Sequence, residues 1–176
     1  MVKRNYPPGM HGQNRARLSE FAMHHREKQK AKWIYQVTER QFANYVRDAA
    51  RKRAMTGDML LQFLESRLDN VVYRLGLATS RAQARQFVGH GFVTVNAKRV
   101  NIPSYQVAVG STVAINPSKK SSKLVERLAA TLKDSKTQDW VELDAKNLSG
   151  KVLSKPTPQL TGSTLQMDLI VEHYNR

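Results

Sequence analysis

Between Arg67 and Val100 the spacing of apolar residues changes from helical to alternating, and this limits the chain to few folds. Leu68, Val71, Val72 and Leu75 fall on one helical stripe, as do Ala84, Phe87 and Val88. The spacing predicts two short helices, each burying one face and keeping the other polar. Gly91 to Val100 then reads as a hairpin. Ser80 and Gln83 have capping-box spacing, in which the serine oxygen takes an orphan backbone N–H and the glutamine reaches back, so the second helix should begin here. Arg81 and Arg85 lie one turn apart on its polar side, where both can reach one anion. A plainer reading makes Arg81, Arg85, Lys98 and Arg99 a solvated face. The capped helix start beside the arginines offers backbone N–H groups as well, and this favours phosphate.

Charge narrows the function. Among 176 residues, 29 Lys and Arg stand against 14 Asp and Glu, a net +15. Self-repulsion on that scale adds nothing to fold stability, so it implies a polyanionic partner, nucleic acid before membrane. Residues 1–53 carry 13 basic against 4 acidic side chains, 54–133 carry 11 against 4, and 134–176 carry 5 against 6. The excess therefore occupies the first three quarters of the chain. A hydrophobic content of 40% supports a packed core of one ordinary or two small domains. Without cysteine there is neither a disulfide framework nor a thiolate metal site. No run approaches a membrane span, and the first residues lack a signal-peptide core, so an intracellular soluble protein is expected.

Taken in order, Pro7-Pro8-Gly9-Met10-His11-Gly12 forms a shaped loop, followed by Arg15 and Arg17. A helix is expected from Ser19, with Leu18, Phe21 and Ala22 opening its apolar face. Arg26 and Lys30 are among the charges on its other positions. A second helix should start at Thr38, with Gln41 as capping partner, and run through Phe42, Tyr45 and Val46 to Arg51-Lys52-Arg53, whose charge suits the helix dipole. Thr56-Gly57-Asp58 reads as a break before another helix from Met59. Beyond the hairpin come turns at 102–104 and 110–111, a strand at 112–115, a basic loop at 118–123 and a helix from Leu124 to Lys133. A strand near Trp140 to Asp144, an extended loop at 155–158 and a terminal helix within 165–174 complete the pattern.

Signs of catalysis are absent from the sequence pattern. Gly89-His90-Gly91 lacks dinucleotide-loop spacing, and no serine sits in a nucleophile elbow. Adjacent His24 and His25 point about 100° apart on a helix, which is not an i, i+4 metal pair. No cofactor and no metal are expected.

The residues resemble a known family. Leu64-Glu65-Ser66-Arg67-Leu68-Asp69-Asn70-Val71-Val72-Tyr73-Arg74-Leu75-Gly76, the Ser80 to Gln86 helix, Val95-Asn96 and Val100 to Tyr105 are similar to the small-subunit ribosomal protein four family. Asn5 to Gly12 and Ile170 to Arg176 are similar to its N-terminal loop and C-terminus. The resemblance implies an α+β fold: an N-terminal helical domain (1–66), an inserted α-helix and β-hairpin RNA-binding module (67–133), and a segment 134–176 returning to the first domain. It implies a non-enzymatic primary binder of 16S rRNA that nucleates assembly of the 5′ domain and bears on translational accuracy. Its partners would be ribosomal protein five, other small-subunit proteins and mRNA at the entry path, with no membrane contact and no homo-oligomer. The resemblance does not separate a cytoplasmic ribosome from an organellar one.

With the pattern above, it marks as RNA-binding Arg4, Tyr6, Pro8, Gly9, His11, Gly12, Arg15, Arg17, Arg26, Lys30, Arg67, Arg74, Ser80, Arg81, Arg85, Lys98 and Arg99. The alternatives are an RNA-modifying enzyme or a stress-type RNA chaperone using the same module. Family members carry some tens of residues before the loop, in some with a cysteine zinc knuckle; here the loop begins almost at Met1. The family's hairpin tip reads Asn-Gly, whereas Ala97 follows Asn96. A primed turn there should cost about 1 kcal/mol or give way to another turn.

Overall fold

Helix α1 (Glu20–Tyr35) starts where Ser19 Oγ accepts the Ala22 N–H at 3.3 Å and stops where Gln36 turns left-handed at φ 52°. In the computed structural model, which describes residues 6, 8–13, 17–52, 54–122, 125 and 138–175, this helix buries His24, Lys28, Ala31 and Tyr35. The apolar face expected from Leu18 and Phe21 is exposed instead. The inner face can be polar because of what it meets. Glu172 of the C-terminal helix lies 3.2 Å from His24, and Lys28 sits 5.6 Å from the Tyr174 ring centroid and 2.9 Å from Glu39.

Helix α2 (Glu39–Ala50) is capped as expected, with Gln41 N–H donating to Thr38 Oγ1 at 3.4 Å, and it buries Phe42, Val46 and Ala49. Helix α3 (Thr56–Glu65) takes in Thr56-Gly57-Asp58 as its first turn, where a break was expected. Gly57 is tolerated there because a Cβ would come within 3.0 Å of Met167, so the close approach of the C-terminal helix offsets glycine's poor helix propensity.

Helix α4 (Leu68–Arg74) follows almost without a break, and α5 (Arg81–Gly89) lies against it. The strands are β1 (Val93–Val95), β2 (Lys98–Arg99), β3 (Thr112–Ile115), β4 (Val141–Asp144) and β5 (Ser149–Val152). They form one antiparallel sheet in the order β2-β1-β3-β5-β4. Helices α6 (Pro158–Thr161) and α7 (Met167–Asn175) close the chain.

Two apolar clusters result. Ala31, Phe42, Val46, Leu60, Leu64 and Ile170 join α1, α2, α3 and α7. Leu68, Val72, Leu75, Phe87, Val93, Val113, Ile115 and Trp140 join α4 and α5 to the sheet. Each buried Val, Leu, Ile or Phe among them stabilises by roughly 1.5–3 kcal/mol.

The segment 134–176, expected to return whole to the helical domain, divides instead. Its β4–β5 hairpin pairs with β3, covering an edge that would otherwise be open, and only α7 packs among α1, α2 and α3. The sheet-bearing unit thus extends past the boundary expected at 133. Of the helix expected over Leu124 to Lys133 only Val125 is among the described residues, helical and buried in the sheet-side cluster.

The hairpin tip keeps the primed form in spite of Ala97. Asn96 and Ala97 have φ 48° and 64°, and Asn96 is tied to β3 through Thr112, its N–H donating to the Thr112 carbonyl and its Oδ1 accepting the Thr112 N–H, both at 2.9 Å. Left-handed alanine costs about 1–2 kcal/mol, and glycine's extra freedom in the unfolded chain offsets part of that. Ala97→Gly should therefore stabilise by about 1 kcal/mol, read as a melting midpoint about 2–4 °C higher. An unchanged midpoint would show that the turn is unstrained.

Candidate nucleic-acid interface

Where α3 passes into α4 the chain crosses the seam between the two clusters, and charge is concentrated there. Glu65 is fully buried. Its Oε1 accepts from Tyr35 Oη at 2.7 Å and Arg74 Nη2 at 2.5 Å, and its Oε2 accepts from Asn70 Nδ2 at 2.6 Å and Arg74 Nε at 2.9 Å. Burial, then the Glu65 charge, raises the Tyr35 phenol well above its ordinary pKa. Against the desolvation cost, hydrogen bonds to Glu65 raise Arg74 above the usual arginine value.

Arg67 is the main correction to the expected site. It is fully buried, with Nε and Nη2 donating to Asp69 at 3.0 and 2.7 Å and Nη1 donating to Tyr45 Oη at 2.8 Å. A guanidinium whose three nitrogens all point inward has none to give RNA. Arg74 gives Nε and Nη2 to Glu65, with 17% of its side chain left exposed.

Arg81 and Arg85 do not project together into solvent. Arg81 Nε donates to Asn70 Oδ1 at 2.8 Å, and its guanidinium lies 4.5 Å from the Tyr73 ring centroid and 5.2 Å from that of Tyr35. Burial, then neighbouring Arg74, lowers its pKa. Arg85 Nη1 donates to the Gln36 carbonyl at 2.9 Å and lies 3.9 Å from Asp69; its side chain is 41% exposed. The polar face of α5 thus meets the C-terminal end of α1, and its arginines join the two clusters.

Ser80 is exposed and caps α5 by accepting the Gln83 N–H at 3.2 Å. The Gln83 side chain reaches Thr79, accepting its N–H and its hydroxyl at 2.7 Å each, one residue before the expected partner.

Other expected residues do face solvent. Lys98 and Arg99 are exposed on β2, and the Arg99 guanidinium folds across Gly91, whose φ of 69° and lack of a Cβ both suit that position. Arg17 and Arg26 are exposed, while the half-exposed Lys30 ammonium donates to Glu27 at 3.2 Å and to the Thr164 carbonyl at 3.0 Å. Pro8, Gly9 and His11 are exposed and Tyr6 and Gly12 are half-buried; the Gly12 N–H donates to the Gly9 carbonyl at 3.2 Å across the loop. Arg4 and Arg15 lie outside the described residues.

A further cationic stripe runs along α2. Arg40, Arg47 and Arg51 sit at i, i+7 and i+11, opposite the buried Phe42, Val46 and Ala49, and all three are exposed. The same spacing that places the apolar stripe also places them.

The family described as ribosomal protein S4/S9 N-terminal domain matches residues 1–65, and the S4 domain matches residues 66–113. The junction between them falls on the charged seam. The small ribosomal subunit protein uS4 of Acetivibrio thermocellus is 47% identical over 176 residues, covering all of this chain and 85% of the relative. That of Desulforamulus reducens is 46% identical over 174 residues, with 99% and 84% covered, and that of Thermus thermophilus 45% over 177, with 100% and 85% covered.

Proposed function

The chain belongs to the uS4 family of small ribosomal subunit proteins, and from that premise we propose that it is an rRNA-binding constituent of the subunit. The observation that carries this reading is the division of the cations. Arg67 and Arg74 at the seam are paired with the buried carboxylates of Asp69 and Glu65, whereas Arg17, Arg26, Arg40, Arg47, Arg51, Lys98 and Arg99 are exposed on a chain of net +15. Exposed Arg and Lys contact phosphates, and the shape of folded RNA supplies specificity.

The finer reading is that the RNA is a junction in the 16S 5′ domain, bound early in assembly. A neighbouring face would meet ribosomal protein five, with consequences for decoding accuracy, and the mRNA entry path would run close by. Tyr6 to Gly12, Ser80 and the half-exposed Arg85 are proposed as further contacts. The family is one of structural proteins, and kinship along the whole chain supports a ribosomal location. No helix among the described residues is long and apolar enough to cross a membrane.

Binding to a 16S 5′-domain fragment tests this. With six or more phosphates contacted, affinity should fall by about 10³-fold or more between 50 and 200 mM salt. A flat salt response would remove the phosphate-contact mechanism.

A further inference from the structure

We propose that Trp33 is a stacking platform for an unpaired RNA base on the outer face of α1, an inference that rests on the RNA-binding reading above. The two tryptophans have opposite environments: Trp140 is fully buried and Trp33 is 74% exposed. Trp33 is no stray from the core. The buried residues of α1 are 24, 28, 31 and 35; shifted by two positions, about 200° around the helix, the same spacing gives Ala22, Arg26, Gln29 and Trp33. The indole therefore stands at the crest of the solvent face, beside a shallow open depression that Arg26, Gln29 and Lys30 also line.

The surroundings select the occupant. The depression has an apolar floor, to which Ile34 contributes with Trp33, and cations at its rim, while its one carboxylate, Glu27, is already engaged by Lys30 and the Gln166 N–H. A flat apolar ligand that also carries negative charge fits that combination better than a purely apolar protein surface. A nucleobase offers a flat π-face for the indole and carries flanking phosphates for the exposed Arg26, while Lys30, held by Glu27 and the Thr164 carbonyl, is already committed within the protein. Bases inside an A-form duplex have both faces covered, so the ligand is a looped, bulged or terminal base.

The test uses the full chain and the 16S 5′-domain fragment, comparing wild type, Trp33→Ala and Trp33→Phe. Alanine should weaken binding by about 5- to 100-fold, the range of one lost base stack, while phenylalanine retains most of the affinity. The salt slope should stay unchanged, because no charge is removed. Binding should also quench the emission of wild type and leave that of Trp33→Ala, which reports only buried Trp140, unaltered. Melting midpoints within about 2 °C of each other would show all three chains equally folded. An alanine variant within twofold of wild type would overturn the proposal, as would a loss accompanied by a shallower salt slope. If RNA affinity is unchanged but a small-subunit protein is retained by wild type alone, the indole serves a protein contact and the proposal also falls. Failure of wild type itself to bind the fragment would instead strike the underlying RNA-binding reading.

Discussion

Glu65→Ala is expected to destabilise the protein by about 3–5 kcal/mol, enough to unfold a marginally stable domain at physiological temperature. The carboxylate is fully buried and receives hydrogen bonds from Tyr35, Asn70 and both ends of the Arg74 fork. Removing it strands the Tyr35 phenol and the Arg74 guanidinium at the seam, leaves Asn70 Nδ2 only its bond to the Glu65 carbonyl, and leaves the Arg74 charge uncompensated. The loss should appear as a lower denaturant midpoint for the whole chain, because α1, α3 and α4 all meet at this residue. Replacing Glu65 and Arg74 together by leucine and methionine should recover part of the stability, since an apolar pair removes the unpaired charge. A loss under 1 kcal/mol for Glu65→Ala would mean that the seam readily admits water.

The second large effect is on binding. Changing Arg40, Arg47 and Arg51 to glutamine should lower affinity for the 5′-domain fragment by on the order of 10²-fold or more at low salt and reduce the magnitude of the salt slope by about 2–3. Because the three side chains lie on an exposed face, stability should change by less than about 0.5 kcal/mol apiece. Arg67→Leu should behave in the opposite way, with lost stability and, in whatever fraction folds, an unaltered slope. If instead Arg67→Leu flattens the slope and the triple variant does not, the assignment of structural and binding arginines is reversed.

These two experiments separate residues that look alike in the sequence. Arg67, Arg74, Arg81 and Arg85 all fall within or beside one amphipathic pattern, which marks each alike as an RNA contact. Arg67 instead bonds Tyr45, 22 positions away, Arg81 bonds Asn70, 11 away, and Arg85 bonds Gln36, 49 away. The polar inner face of α1 was hidden for the same reason: His24 and Lys28 are accommodated by Glu172, Tyr174 and Glu39, none of which periodicity can bring to them. Arg40 and Arg47, by contrast, are legible in the sequence. Their position opposite Phe42 and Val46 follows from helical spacing alone.

What the sequence by itself determined was local: helix starts at Ser19, Thr38 and Ser80, the strand at 112–115, and a charge excess requiring a polyanion. Each depends on side chains within about one turn of the backbone they act on, so nearby residues suffice. Only the tertiary structure decided that the C-terminal segment divides between two cores, and which arginines are consumed inside the protein. A guanidinium in water and one in a buried ion network are the same residue; desolvation and the partner it meets across the fold make the difference.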